Sequence, residues 1–226
     1  MSESWKRFFQ VQAVLAACCI LCFVLLAIRI KFTGSMTYTF MVWNLFLGCI
    51  PVMFAIILRY FNSNNNGYGP RFFRVLVFGS WLLFFPNSIY MVSDLLHLSH
   101  IRSAIIPNWY DAVMLFSFAM TGLFLGLVSL RYIHVYLRSK YSSSWSWAIV
   151  GGSVVLSSFG VYLGRFLRWN SWDVIQDPVG LLTDVAQRIA HPISYFETYF
   201  VTGVFTMIMF LAYLLTSLIN LQNPVR

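Results

Sequence analysis

The sequence predicts an all-α membrane protein, a bundle of six transmembrane helices formed by a single domain over residues 1–226. Hydrophobic residues make up 59% of the chain and charged residues only 10%, whereas soluble domains carry about 25% charge. The mean hydropathy is +0.74. These values exclude a water-soluble globule, and they exclude a disordered chain, because disorder requires low hydrophobicity.

Six stretches reach the roughly 20 apolar residues that a helix needs to cross a bilayer. They lie near 8–28, 36–58, 75–94, 109–130, 146–167 and 195–219. Helices are expected because lipid cannot satisfy exposed backbone groups, and the alternation typical of a membrane barrel is absent.

The first span has two interpretations. Lys6 and Arg7 precede an apolar run, as in a signal peptide, and the residues before Cys18 resemble a lipoprotein cleavage box. The apolar run continues to Ile28, which favours a retained helix over a lipidated Cys18. The four cysteines lie in the first two spans, which favours small buried side chains over a disulfide framework or a soft metal site. They are Cys18, Cys19, Cys22 and Cys49.

The distribution of charge predicts that both termini are cytoplasmic. Nine basic residues fall on the side of the termini: Lys6, Arg7, Arg59, Arg71, Arg74, Arg131, Arg138, Lys140 and Arg226. Six fall on the other side: Arg29, Lys31, Arg102, Arg165, Arg168 and Arg188. Because basic residues accumulate in cytoplasmic loops, the net charge of +8 is a topology signal and does not indicate a nucleic-acid partner.

The spans also carry signals of packing. Tryptophans near the span ends are typical of the aromatic belt at a lipid bilayer. The sequence motif GxxxG occurs in span four, with Gly122 and Gly126, and in span five, with Gly160 and Gly164. Small residues one turn apart let helices approach closely. We therefore expect spans four and five to pack together, and the same faces are candidates for contact with a partner helix.

Between spans five and six the sequence predicts a short amphipathic helix on the outer leaflet. Asp177 and Pro178 are typical of an N-cap followed by proline at the first helical position. Leu182, Val185 and Ile189 then recur at helical spacing.

The predicted outer face gathers opposite charges. Span three contains Pro86, which should kink it, and Asn87, which can satisfy the freed backbone groups. Asp94 and His97 share a face if the helix continues. Asn108 can cap span four, with Asp111 in its first turn.

Arg165, Arg168 and Trp172 fall on one helical face if span five continues outward. Because unpaired charges near hydrocarbon are costly, we expect the two arginines to pair with carboxylates. The candidate partners are Asp94, Asp111 and Asp173.

Several roles fit this cluster. It is either a polar clamp between loops or a pocket in which Arg165 and Arg168 hold a phosphate or carboxylate. Asp94 and His97 could supply acid–base chemistry. A divalent metal held by Asp94, His97, His100 and Asp111 is the least favoured, because the spacing is not a strong metal signature. No catalytic or cofactor motif names a reaction, and no charge lies at a bilayer midplane.

Three segments resemble the integral membrane "domain of unknown function thirteen sixty-one" family. They are residues 85–98, FPNSIYMVSDLLHL; 109–111, WYD; and 162–173, YLGRFLRWNSWD. The resemblance covers roughly residues 40–220. It implies a multi-pass bacterial membrane protein, located in the plasma membrane, and it adds weight to the polar cluster as one unit without naming a substrate or a cofactor.

Three functions therefore stay open. The leading hypothesis is a membrane protein whose outer-face cluster, including Asn87, binds a small anionic or lipid-linked ligand. The second is a hydrolase or transferase on lipid-linked phosphates, with Asp94 and His97 as base and acid. The third is a non-catalytic partner subunit or transporter component that packs through the glycine faces.

Overall fold

The computed structural model describes residues 3–63, 71–99 and 105–222, and no strand occurs among them. The six predicted spans are confirmed as six helices long and apolar enough to cross a membrane. They are α1 (Glu3–Thr33), α2 (Phe40–Ser63), α3 (Arg71–Ser93), α4 (Asn108–Arg138), α5 (Ser143–Phe166) and α8 (Phe196–Gln222). Shorter helices lie at Asp94–Ser99 (3₁₀), Asp173–Gln176 (α6) and Pro178–Ala190 (α7).

The bundle is organised around α3, which packs against α2, α4 and α5. Its fully buried Trp81 and Phe85 stack with ring centroids 4.7 Å apart and form the middle of the core. Helix α1 packs on α4, and α8 packs on α5 and α4. The ends of α1, α3 and α5 lie at one end of the bundle, which we call the Asp94 end.

The glycines of the two GxxxG motifs lie against α3. A Cβ added to Gly122 would come within 2.5 Å of the Ser88 carbonyl oxygen, and one added to Gly160 within 2.7 Å of Pro86. Helices α4 and α5 do touch, but their motifs face α3 and not each other. This corrects the role predicted for the motifs: the small residues bring two helices onto a common third one.

Helix α3 continues through Pro86 to Ser93. Two side chains bond to carbonyl groups in the turn before the proline. Asn87 donates to the Phe84 carbonyl and Ser171 donates to the Leu83 carbonyl, each at 3.0 Å. Neither is the Leu82 carbonyl, which is the group that Pro86 leaves without its usual donor. The predicted role of Asn87 in satisfying the freed group therefore stays a prediction.

The cap predicted for α4 is wrong: the helix begins at Asn108 after Pro107, and no side chain caps it. Helix α5 ends at Phe166, close to the predicted end of span five near 167. It does not continue outward, so Arg165, Arg168 and Trp172 do not share a helical face. The reason is Arg168 itself, whose φ of 63° places it in the left-handed conformation that commonly terminates helices.

The amphipathic helix is confirmed as α7. The Asp177 side chain accepts a hydrogen bond from the Gly180 amide at 2.9 Å, and Pro178 follows at the first position. Leu182 and Ile189 are exposed, as expected of a face in contact with lipid. Arg188, on the other face, is buried and bonds to Asp184 at 3.1 Å.

Candidate functional site

A buried ion pair joins α5 to the end of α3. Asp94 is fully buried, and its Oδ1 accepts a hydrogen bond from Arg165 Nη2 at 2.9 Å. Its Oδ2 accepts from the side-chain amide of Asn44 in α2 at 3.0 Å. Both carboxylate oxygens are therefore occupied, and the pairing predicted between Arg165 and Asp94 is present.

The Arg165 guanidinium uses all five of its N–H donors within the protein. Nε donates to Ser93 Oγ at 3.0 Å, and Nη2 donates to the Ser93 carbonyl as well as to Asp94. Nη1 donates to the Tyr90 hydroxyl at 3.4 Å and to His97 Nε2 at 3.1 Å. An anion would have to displace one of these partners, so this geometry favours a clamp at Arg165.

His97 is the most accessible member of this cluster. About a third of its side chain (34%) is exposed, and its ring lies 5.0 Å from that of Phe40. Its Nε2 is 3.9 Å from Asp94 Oδ1. Because an arginine can only donate, Nε2 accepts from Arg165, which describes a neutral imidazole protonated on Nδ1.

Asp111 belongs to a second buried ion pair. Its Oδ1 lies 2.8 Å from Nε of Arg29 in α1, and the Arg29 guanidinium also covers the Tyr38 ring at 4.4 Å. Burial raises the pKa of the Tyr38 phenol, and the Asp111 carboxylate raises it further. The predicted pairing of Asp111 with Arg165 or Arg168 is wrong, because Arg29 occupies its carboxylate.

Asp173 orders the connection after α5. Its Oδ2 accepts from the Asn170 backbone amide at 2.6 Å and from the Asn170 side chain at 3.2 Å. The pairing predicted between Asp173 and Arg168 is therefore wrong. Arg168 is exposed, and it forms no ion pair with any residue that the structure describes.

A cleft of about 410 Å³ lies beside the ion pair of Asp94. Leu82, Leu83 and Pro86 of α3 form its floor. Trp43 and Asn44 line it on α2, and Leu156 and Gly160 line it on α5. The segment 169–171 and Leu181 of α7 also line it. Its volume is within the usual range of ligand sites.

Polar residues that line the cleft are hydrogen-bonded to the buried ion pair. Asn44 and Tyr90 both line the cleft, and they bond to Asp94 and Arg165 respectively. Asn87, Asn170 and Ser171 line it too. The cluster predicted as a ligand site is thus divided. Asp94, Arg165 and Asp173 do not line the cleft, but each bonds to a residue that does. Asn87 lines the cleft itself, and Asp111 pairs with Arg29 instead.

The described residues hold no group of three His, Cys, Asp or Glu side chains arranged for a metal ion. Asp111 is paired with Arg29 instead. His100, the remaining ligand of the metal hypothesis, lies outside the described residues.

Sequence reasoning missed Asn44 and Arg29. Asn44 is an amide within an otherwise apolar stretch of span two, and polar groups in spans commonly bond to another helix. Arg29 lies at the end of span one, on the side predicted for Asp111, where an unpaired charge would be costly. Either signal could have suggested a partner at the Asp94 end.

The fold and the cleft define a multi-pass membrane protein with a polar-ended groove along its bundle. The chain belongs to the family described as "Protein of unknown function (DUF1361)", whose model matches residues 43–212. This match includes all three segments on which the resemblance was based. Neither the curated proteins nor the solved structures contain a match.

Proposed function

We propose that the protein binds a single-chain lipid phosphate, with the chain in the cleft and the phosphate beside Arg168. The observation that carries this proposal is the cleft itself. It connects the apolar side of the bundle with amide and hydroxyl groups, next to an exposed arginine that has no acidic partner among the described residues.

The cleft has the dimensions of a site for one chain. From Gly79 to Tyr90 its floor follows α3 for eleven residues, about 16 Å. This is about half of the roughly 30 Å hydrocarbon thickness of a bilayer. Leu156 and Trp43 line the cleft and are exposed on the side of the bundle, so a chain can enter from the bilayer. The single cleft between α2 and α5 has room for one lipid chain.

Arg168 supplies the charge for the headgroup. It is exposed, and the next residue in the chain, Trp169, lines the cleft. Its planar guanidinium can donate two parallel hydrogen bonds to a phosphate. Its left-handed backbone is unfavourable for any residue with a Cβ, and such strain is often stored at functional sites.

We place the Asp94 end at the outer leaflet of a plasma membrane, with both termini in the cytoplasm. The support is the excess of basic residues on the side of the termini, nine against six. A reporter fused to the C-terminus should be active only if it works in the cytoplasm. Activity of a reporter that functions only outside the cytoplasm would overturn the orientation.

Binding is favoured over catalysis by the state of Asp94. A general base must reach the proton that it removes, whereas Asp94 is fully buried with both oxygens bonded. The roles of Asp94 and His97 in acid–base chemistry stay predictions. The partner-subunit hypothesis loses its main support, because the motif glycines contact α3 within the chain.

The proposal is tested by native mass spectrometry of the protein in nanodiscs with hexadecyl phosphate, and with hexadecanol as the uncharged comparison. Hexadecyl phosphate should bind in preference. Arg168→Asn, which tolerates the left-handed backbone, should weaken its binding on the order of tenfold, through lost charge-assisted hydrogen bonds. Lys140→Asn, at the opposite end of the bundle, should leave it unchanged. Equal binding to wild type and Arg168→Asn would overturn the role of Arg168.

A further inference from the structure

We infer that the bound lipid carries a hydroxyl group between its chain and its phosphate, and that this hydroxyl donates its proton to one of the side-chain carbonyl oxygens of Asn44, Asn87 and Asn170. This inference rests on the proposed function and narrows its ligand class. It is based on the orientation of the side-chain amides of three asparagines that line the cleft.

Each amide directs its NH₂ group to the protein. Asn44 donates to Asp94 Oδ2, Asn87 donates to the Phe84 carbonyl and to Ser171, and Asn170 donates to Asp173 Oδ2. Carboxylates and peptide carbonyls can only accept hydrogen bonds, so the opposite orientation of the amides would leave these contacts unmade. The orientation of each amide is therefore set by its partner.

The three side-chain carbonyl oxygens are consequently available to accept hydrogen bonds from a ligand in the cleft. Each can accept two hydrogen bonds, and none accepts one from a residue that the structure describes. Asn44 and Asn87 are half-buried and Asn170 is exposed, so a ligand that covers these oxygens has to donate to them, because a polar group that becomes buried without a partner is costly. The ligand is therefore expected to present a hydrogen-bond donor at this level of the cleft.

A hydroxyl group fits this level better than a phosphate or a cation. An ionised phosphate offers acceptor oxygens and would face other acceptors, so it belongs with Arg168. A cation would lack a counter-charge, because no carboxylate of the described residues lines the cleft. The Tyr90 hydroxyl accepts from Arg165 and keeps its own proton to donate. A ligand hydroxyl can therefore both donate to an asparagine and accept from Tyr90.

The order of groups along the cleft matches one class of lipid. Gly79 and Leu156 line the apolar part, and Asn87 follows Gly79 by eight residues on α3, about 12 Å towards the Asp94 end. Asn170 lies near the level of Asn87, because the adjacent Ser171 accepts a hydrogen bond from Asn87. Arg168 comes last, beyond the end of α5. A chain, then a hydroxyl, then a phosphate is the order in a glycerol phosphate with a single chain.

The test compares two probes in nanodiscs by native mass spectrometry. One is 1-hexadecyl glycerol 3-phosphate, and the other is its 2-deoxy analogue, which lacks the free hydroxyl. The hydroxylated probe should bind more tightly, on the order of tenfold, as expected for two hydrogen bonds. If the two probes bind equally, the hydroxyl inference is overturned while the proposed function stands. If neither binds, the proposed function itself has failed.

Variants then locate the contact. In Asn87→Leu, which has a similar shape, the preference for the hydroxylated probe should fall towards equality. In Ser117→Ala the preference should stay, because that hydroxyl bonds to its own helix at the Val113 carbonyl. If Asn87→Leu does not fold, Asn170→Ala changes an exposed residue and should reduce the preference in part. An undiminished preference in the folded variants would overturn the assignment.

Discussion

Arg29 and Asp111 form a buried ion pair, with Arg29 Nε 2.8 Å from Asp111 Oδ1. It joins α1, which precedes the residues matched by the family model, to the first turn of α4, which lies inside them. The two residues are 82 positions apart in the chain. Helix α1 is therefore attached to the family domain by a specific polar contact as well as by apolar packing.

Removing one partner of this pair should destabilise the protein strongly. Arg29→Ala leaves the Asp111 carboxylate buried and without its counter-charge, and such changes cost about 3–5 kcal/mol. The midpoint of unfolding, followed by circular dichroism in detergent, should fall clearly. A midpoint within error of wild type would show that the pair is not buried as described.

A double variant separates stability from binding. Arg29→Met with Asp111→Leu replaces both charges by apolar side chains of similar size and should recover most of the lost stability. Because Asp111 lies outside the cleft, the double variant should bind hexadecyl phosphate like wild type. Loss of binding in a stable double variant would show that Asp111 contributes to the ligand site.

The geometry of Arg165 predicts that lysine cannot replace it. A lysine has three donors on a flexible stem, whereas Arg165 uses five in a planar fork. Arg165→Lys should lower the free energy of unfolding by about 2 kcal/mol, since hydrogen bonds to Asp94 and to His97 are lost. Thermal unfolding of the purified variant measures this.

Arg168→Lys is the matched control for stability. Arg168 is exposed, and exposed substitutions usually change stability by less than about 0.5 kcal/mol. If both lysine variants unfold like wild type, the network around Arg165 contributes nothing measurable, and the clamp described for it is wrong.

The features that sequence reasoning predicted correctly are those encoded locally. Six apolar stretches specify the spans. Asp177 followed by Pro178 specifies the start of α7, which begins at Pro178 as predicted. The pair of Asp94 and Arg165 was expected because both lie at helix ends on the same side of the membrane. These inferences need only the period of a helix and the cost of an unpaired charge.

The features that it missed depend on how helices are arranged around α3. Asn44 reaches Asp94 across 50 positions, and nothing local to either residue names the other. The glycine motifs predict that two helices approach closely, but they do not identify the partner helix. The end of α5 near 167 was predicted, but the residue that terminates it was not, because a left-handed residue at that position is usually glycine, whereas this chain has Arg168.

Glycines in contact with α3 should not tolerate a methyl group. Gly122→Ala would place a Cβ 2.5 Å from the Ser88 carbonyl oxygen, a backbone atom that cannot move aside without shifting α3. Overpacking of this kind typically costs 1–3 kcal/mol. Gly203→Ala is the control, because a Cβ there meets nothing within 4 Å. The difference in unfolding midpoint between the two variants tests the packing; equal midpoints would contradict it.

Arg168→Gly should separate binding from stability in opposite directions. The left-handed conformation costs a residue with a Cβ roughly 1–2 kcal/mol, and glycine adopts it without that cost. Part of the gain is lost because glycine also makes the unfolded chain more flexible. The variant should therefore be as stable as wild type or up to about 1 kcal/mol more stable. Its binding of hexadecyl phosphate should fall on the order of tenfold, because the guanidinium is gone.

Arg168→Ala completes this comparison, since it removes the charge and keeps the backbone strain. It should lose binding like Arg168→Gly while unfolding at a lower temperature than the glycine variant. Stability is read from thermal unfolding, and binding from native mass spectrometry with the same probe. If arginine served only to end α5, glycine would end it equally well and binding would not change. Retained binding in both variants would therefore assign Arg168 a structural role and move the phosphate site elsewhere.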